Sequence, residues 1–74
     1  MRFKTTIAER EKALPYFIES LQSPDAGVRY AAVAGIDALG DKSQIEPLEN
    51  LLQTEKEPSL KKFVGETISR LEKK

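Results

Sequence analysis

ALPYFIESLQS, at residues 13–23, returns 31 residues later as QIEPLENLLQT, at residues 44–54. The stretch VRYAAVAGIDAL, at residues 28–39, returns 32 residues later as LKKFVGETISRL, at residues 60–71. A period of this size, built from two helical patterns, is typical of an α-solenoid, in which stacked helix pairs cover one another's apolar faces. The sequence therefore predicts an all-α fold, an α-solenoid fragment made of two helix pairs.

The first helix is expected to begin at Thr6, because Thr6 and Glu9 have the spacing of a capping box. Pro15 falls inside the same helical pattern. Proline lacks an N–H, and its ring would clash with the carbonyl of Glu11. The sequence therefore predicts a kink or a break near Leu14.

Turn and capping residues separate the other three helices. Ser23 is expected to cap the second helix, with a proline as the first helical residue. Gly40 is expected to end that helix in the left-handed conformation. Asp41 and Ser43 are alternative caps for the third helix, since each is followed three residues later by Gln or Glu. Pro58 begins the fourth.

Apolar residues spaced by three and four predict one inward stripe on each helix. The side chains expected in the core are Phe17, Leu21, Val28, Ala32, Ile36, Leu39, Leu48, Leu52, Val64, Ile68 and Leu71.

Seventy-four residues predict a single small domain. Its expected parts are an N-terminal extension of the first helix at residues 1–12, a first repeat at 13–40 and a second at 41–74. Solenoids usually need about three units, so an apolar end must be covered here. The extension, through Phe3 and Ile7, is one candidate for that cover, and a second copy in a homodimer is the other.

Charge and composition exclude several classes of protein. Twelve basic and twelve acidic residues give no net charge, which argues against nucleic-acid or anionic-membrane binding. The charge is uneven, however: +2 over residues 1–12, −5 over 13–55 and +3 over 56–74. Neither a signal peptide nor a membrane span is recognisable, so a cytoplasmic location is expected.

No pattern in the chain indicates catalysis. Cysteine and histidine are absent, which removes the usual metal ligands and the usual general base. Carboxylate pairs such as Glu46/Glu49 are predicted to face solvent, and no serine has a histidine partner. No catalytic residue, metal or cofactor is therefore expected.

The residues of each unit resemble HEAT repeats, and most closely the short type named after phycobilisome lyases. In the first unit the resemblance is carried by Leu14, Phe17, Leu21, Pro24, Asp25, Val28, Arg29, Ala31, Ala32, Leu39, Gly40 and Asp41. In the second it is looser and is carried by Ile45, Leu48, Leu52, Pro58, Leu60, Lys61, Val64, Ile68 and Leu71.

This resemblance implies that each unit is an antiparallel helix pair and that the second helices line a concave face that often binds proteins. It also implies a ladder between units, made by an acidic residue and the Arg that follows the Val. Arg29 and Lys61 occupy the basic position, whereas Ser23 and Thr54 replace the usual acid. The sequence thus departs from the family at the acidic end of the ladder.

On a helical wheel, Tyr30, Val33 and Asp37 point away from the expected core stripe, and their counterparts in the fourth helix are Lys62, Gly65 and Ser69. Stacked helices would place these residues on one surface. We therefore predict a non-enzymatic protein-interaction module, a small scaffold or adaptor, although a plain solvent face is the simpler alternative. A lyase-like or lyase-accessory protein that handles a bilin or its apoprotein is the alternative function. The predicted protein-binding residues are Arg29, Tyr30, Val33, Asp37, Lys61, Lys62 and Ser69.

Overall fold

The computed structural model describes the backbone of residues 7–74 and the side chains of residues 11–74. The described chain contains four α-helices and no strand: α1 (Ile7–Ser20), α2 (Ala26–Leu39), α3 (Ile45–Thr54) and α4 (Pro58–Glu72). A short 3-10 helix, Lys42–Gln44, precedes α3. The prediction of an all-α solenoid fragment with two helix pairs is confirmed, while the predicted residue limits of the two repeats remain a prediction.

Helix α1 continues through Pro15 as a single element. The predicted break near Leu14 is therefore wrong, while the alternative of a kink there stays a prediction. Beyond Pro15 the helix still buries its apolar face, because Leu21 just after its end is only 4% exposed. Packing of this face outweighs the local preference of proline. The predicted capping box at Thr6 and the contribution of Phe3 lie outside the described residues.

The ends of α2 differ from the prediction. Asp25, not Ser23, is the N-cap, and its carboxylate accepts from the backbone N–H of Gly27 at 2.8 Å. Gly40 has φ −81° and ψ 177°, which is extended rather than left-handed. Glycine is needed there for space, because a Cβ would lie 2.7 Å from the carbonyl oxygen of Ile36.

The predicted capping box of Asp41 and Gln44 is present, but it caps a 3-10 helix before α3, and the N-cap of α3 itself is Gln44. Asp41 accepts from the backbone N–H of Ser43 at 2.8 Å, and the side chain of Gln44 accepts from the N–H of Asp41 at 2.7 Å. This reciprocal capping box closes the 3-10 helix, which leads directly into α3. Helix α4 begins at Pro58, as predicted.

We call α1 and α2 the first unit and α3 and α4 the second unit. Within each unit the two helices pack together, and α2 packs against α4 to join the units. One continuous core results. Its buried apolar side chains are Leu14, Leu21, Ala32, Val33, Ile36, Leu48, Leu51, Leu60, Val64 and Leu71.

The predicted core is largely right. Phe17, Leu39, Leu52 and Ile68 are partly buried against it. Val28 is wrong, because it is 41% exposed. The reason is the orientation of α2 about its own axis, in which Val33 rather than Val28 faces the junction between the units.

Candidate protein-binding surfaces

The predicted binding residues lie in different environments in the structure: one is buried, some are paired inside the molecule, and the others are exposed. Val33 was expected on this surface, but it is fully buried at 0% exposure, so that prediction is wrong. A second helix in a stacked pair has two neighbours, its own α1 and the α4 of the next unit. A helical wheel with one inward stripe allows for only one neighbouring helix. It therefore predicts that the side of α2 that faces α4 is exposed to solvent.

Tyr30 lies at the same junction but remains open on one side. Its ring stacks on that of Phe63 in α4, with the centroids 4.7 Å apart and the planes 24° from parallel. It is nevertheless 48% exposed. The pair forms an aromatic surface that spans the two units.

Arg29, also a predicted binding residue, is engaged inside the molecule. Its Nε and Nη2 donate to the two carboxylate oxygens of Glu55 at 2.8 and 3.0 Å, and its Nη1 donates to the carbonyl of Ser23 at 2.8 Å. The fork-to-fork geometry is the strong bidentate form of an ion pair. Arg29 thus ties α2 to the loop before α4.

Glu55 is the acidic partner that the sequence prediction missed. Ser23 and Thr54 occupy the family's acidic position, and the carboxylate comes instead from the next residue, Glu55. Its side chain is 1% exposed, whereas that of Arg29 is 18% exposed. The only sequence signal was an acid in the turn between α3 and α4, and the same turn also holds Glu57.

The surroundings of this pair shift both pKa values. The hydrogen bonds from Arg29 lower the pKa of Glu55 below its ordinary value and outweigh burial, which acts in the opposite direction. The backbone N–H groups of Lys56 and Glu57 add to this effect, because they donate to Oε2 at 3.2 and 3.1 Å. The hydrogen bonds to Glu55 raise the pKa of Arg29. Both groups are charged at neutral pH.

Asp37 takes part in a second ion pair between the units. Nε of Arg70 donates to Oδ1 of Asp37 at 2.8 Å, and the two side chains are 48% and 27% exposed. This bond raises the pKa of Arg70. Lys74 reaches the same end of α2, where its Nζ donates to the carbonyls of Asp37 and Gly40 at 3.3 and 3.0 Å.

The predicted binding residues of α4 are on the surface. Lys61, Lys62 and Ser69 are all exposed. They occupy the positions that in the first unit hold Arg29, Tyr30 and Asp37. The second unit therefore presents polar side chains to solvent where the first unit presents contact residues to its neighbour.

Helix α2 has an exposed strip that the sequence prediction did not identify. It consists of small residues spaced by three and four, namely Gly27, Ala31, Ala34 and Ala38. Their exposure could not be predicted from residue type, because alanine and glycine occur both in close contacts between helices and on solvent-exposed faces.

The surface of the described residues includes a groove and a smaller hollow. A groove of about 700 Å³ lies between α1 and α3, with the Arg29–Glu55 pair along it, and its lining includes Ile18, Pro47 and Asn50. A smaller hollow of about 350 Å³ lies at the outer side of the first unit and is lined by residues that include Tyr16 and Val28. Neither hollow was foreseen, since each depends on how the helices splay.

Among the described side chains, no cluster of three or more His, Cys, Asp or Glu residues is able to hold a metal ion. Within residues 7–74, every helix is too short or too polar to pass through a lipid bilayer.

A family model described as HEAT repeats matches residues 5–69. No curated protein matches the chain, and no solved structure matches it.

Proposed function

Because the chain belongs to the HEAT-repeat family, we propose that it is a non-enzymatic protein-interaction module that contacts its partner through the α2–α4 side. HEAT repeats generally mediate contacts between proteins and are generally non-catalytic. On this proposal the molecule acts as a small scaffold or adaptor.

The observation that carries the proposal is the open aromatic pair of Tyr30 and Phe63. Tyr30 is 48% exposed although its ring is already stacked. A tyrosine held in one orientation loses little conformational entropy when a partner covers it, and tyrosine is enriched among the residues that dominate interface energies. Lys62, next to Phe63 in the chain, adds an exposed positive charge.

The accessible part of the predicted site is therefore smaller than the predicted set. It keeps Tyr30, Lys61, Lys62 and Ser69. Val33 is fully buried, and Arg29 and Asp37 already have internal partners. Their contribution to a partner would act through the position of α2 rather than by direct contact.

The test begins with photo-crosslinking from position 62 in the native lysate and identification of the captured protein. Binding of the purified partner is then measured by calorimetry. Tyr30→Ala is expected to weaken binding by about 1–3 kcal/mol, and Lys62→Glu to weaken it measurably. Lys12→Glu, at an exposed position in α1, is the matched control. Affinity that is unchanged by both Tyr30→Ala and Lys62→Glu would remove this surface as the binding site.

The bilin-handling alternative remains a prediction based on resemblance. Its test is an absorption spectrum of the protein purified from a host that makes bilins. A visible band that comigrates with the protein would favour the alternative, whereas a colourless protein would leave the interaction module as the better account.

A further inference from the structure

The first unit has an exposed apolar face at its outer side, which we call the N-terminal end face. It is formed by Tyr16, Phe17, Val28 and Ala31. Tyr16 is 66% exposed and Val28 is 41% exposed. Isolated exposed apolar residues are ordinary, but these line one continuous hollow.

The internal repeat shows what kind of surface this is. The counterparts of these residues in the second unit are Pro47, Leu48, Leu60 and Phe63. Leu48 is 0% exposed and Leu60 is 2% exposed. Two of these positions are thus closed in the second unit, at Leu48 and Leu60, whereas Val28 and Tyr16 are exposed in the first.

In the second unit, an α-helix covers the part of this surface that α4 forms. Helix α2 packs against α4, with Tyr30 stacked on Phe63 and Val33 fully buried at the junction. The N-terminal end face is the equivalent, in the first unit, of a surface that receives a helix inside the molecule. Its geometry is therefore suited to a helix.

The hollow has room for one more large side chain. Ala31 stands where the second unit has Phe63, and the hollow of about 350 Å³ is lined in part by Gly27 and Ala32. Among the described residues that line it, Asp25 is the only charged one. A bulky apolar side chain therefore fits the hollow, and a cation fits its rim.

We propose that the N-terminal end face docks an amphipathic α-helix of another polypeptide, which inserts a large apolar side chain above Ala31 and places a Lys or Arg near Asp25. This inference rests on the proposed function only in taking the protein to be an interaction module. It identifies a second surface, on the other side of α2 from Val33.

The experiment uses a peptide copy of α2, residues 25–40, because α2 is the helix that covers the equivalent surface. Isolated helices of this length are marginal in water, so positions 34 and 38, which are exposed in α2, are joined by a hydrocarbon staple. The peptide is titrated into the ¹⁵N-labelled full chain. Amide shifts are expected at Tyr16, Gly27, Val28 and Ala31.

Matched variants locate the contact. Val28→Lys in the protein is expected to weaken peptide binding at least about tenfold, and Glu72→Lys, at an exposed position at the end of α4, to leave it unchanged. A peptide carrying Val33→Lys is expected not to bind. Melting temperatures within a few degrees of the parent protein would show that both protein variants are folded.

Several outcomes would overturn the proposal. These are an absence of shifts at millimolar peptide, shifts centred on the α1–α3 groove or on α4, or an affinity that Val28→Lys does not change. A dimer that Val28→Lys dissociates would assign the face to a second copy instead. Cross-peaks between Phe3 and Val28 in the free protein would assign it to the chain's own N-terminal segment. The proposed function would survive each of these, since its own test depends on Tyr30 and Lys62.

Discussion

Glu55 carries four hydrogen bonds although its side chain is closed off from water. Two come from Arg29 and two from backbone N–H groups in its own turn. Removing one partner of a buried ion pair destabilises a protein more than the net strength of the pair suggests, because the other charge is left unsatisfied.

Glu55→Gln should therefore lower the melting temperature by about 8 °C or more, since one kcal/mol corresponds to roughly 4–8 °C in a domain of this size. Glu57→Gln, two residues away and exposed, should change it by no more than a few degrees. Thermal unfolding followed by circular dichroism measures both. Equal melting temperatures for the two variants would contradict the structural role of Glu55.

The same residue predicts a dependence on pH. The folded-state pKa of Glu55 is lowered from its ordinary value of 4.5, so its stabilisation is complete above that value. It is lost as the pH falls from that value through the folded-state pKa, because the unfolded state takes up the proton more readily than the folded state. The difference in melting temperature between the parent protein and Glu55→Gln should shrink as the pH is lowered from 6 towards 2. A constant difference would show that the carboxylate charge is not what stabilises the fold.

At the scale of an element, α2 shows which structural features could be predicted from the sequence and which could not. Its existence, its approximate limits and its helical character followed from periodicity and turn residues. Its rotation did not, because Val28 and Val33 are chemically identical and five residues apart. Only the presence of α4 on its far side makes Val33 the buried one.

Val33→Ala and Val28→Ala measure that rotation directly. Val33→Ala should cost about 2 kcal/mol, because it leaves a small cavity between α2 and α4. Val28→Ala removes the same atoms from a position that is 41% exposed and should cost less than about 1 kcal/mol. Urea unfolding gives both free energies of unfolding. The reverse order would restore the orientation predicted from the sequence.

Two mid-helix glycines provide a second matched pair. A Cβ at Gly65 would meet nothing within 4 Å, whereas a Cβ at Gly35 would lie 2.5 Å from the ring of Phe17. Gly65→Ala should therefore stabilise the protein by about 0.5–1 kcal/mol through helix propensity. Gly35→Ala should destabilise it by about 1 kcal/mol, because the ring must move out of its packing. Urea unfolding measures the free energy of unfolding of both variants. Stabilisation by both substitutions would contradict the close contact of α1 with α2.

At the scale of the whole molecule, the two ends of the stack differ. The outer side of the first unit is apolar, whereas the exposed residues of α4 include the polar Lys61, Lys62 and Ser69. This difference between the ends could not be predicted from the sequence, because it depends on which residues of each unit face the junction. The candidate site was only partly predictable from the sequence. The residues of α4 were correctly predicted to lie on the surface, but the apolar end of the first unit was not identified.

Unlike ends do not match each other, so head-to-tail growth into long stacks is not expected. Sedimentation equilibrium at about 100 µM, in low and high salt, should show no species larger than a dimer of the 8.3 kDa chain. The predicted homodimer stays open to the same measurement. Average masses that rise continuously with concentration would show that the ends do pair.

The position of α2 between α1 and α4 also sets an order of events during synthesis. When α2 leaves the ribosome, α1 is already available to it, but the helix that covers Val33 lies some twenty residues further along the chain. Until α4 emerges, Val33 has no helix to cover it, and until Glu55 emerges, Arg29 lacks its carboxylate partner. The interval between the emergence of α2 and that of α4 from the ribosome is therefore the time at which this apolar side of α2 has no covering helix.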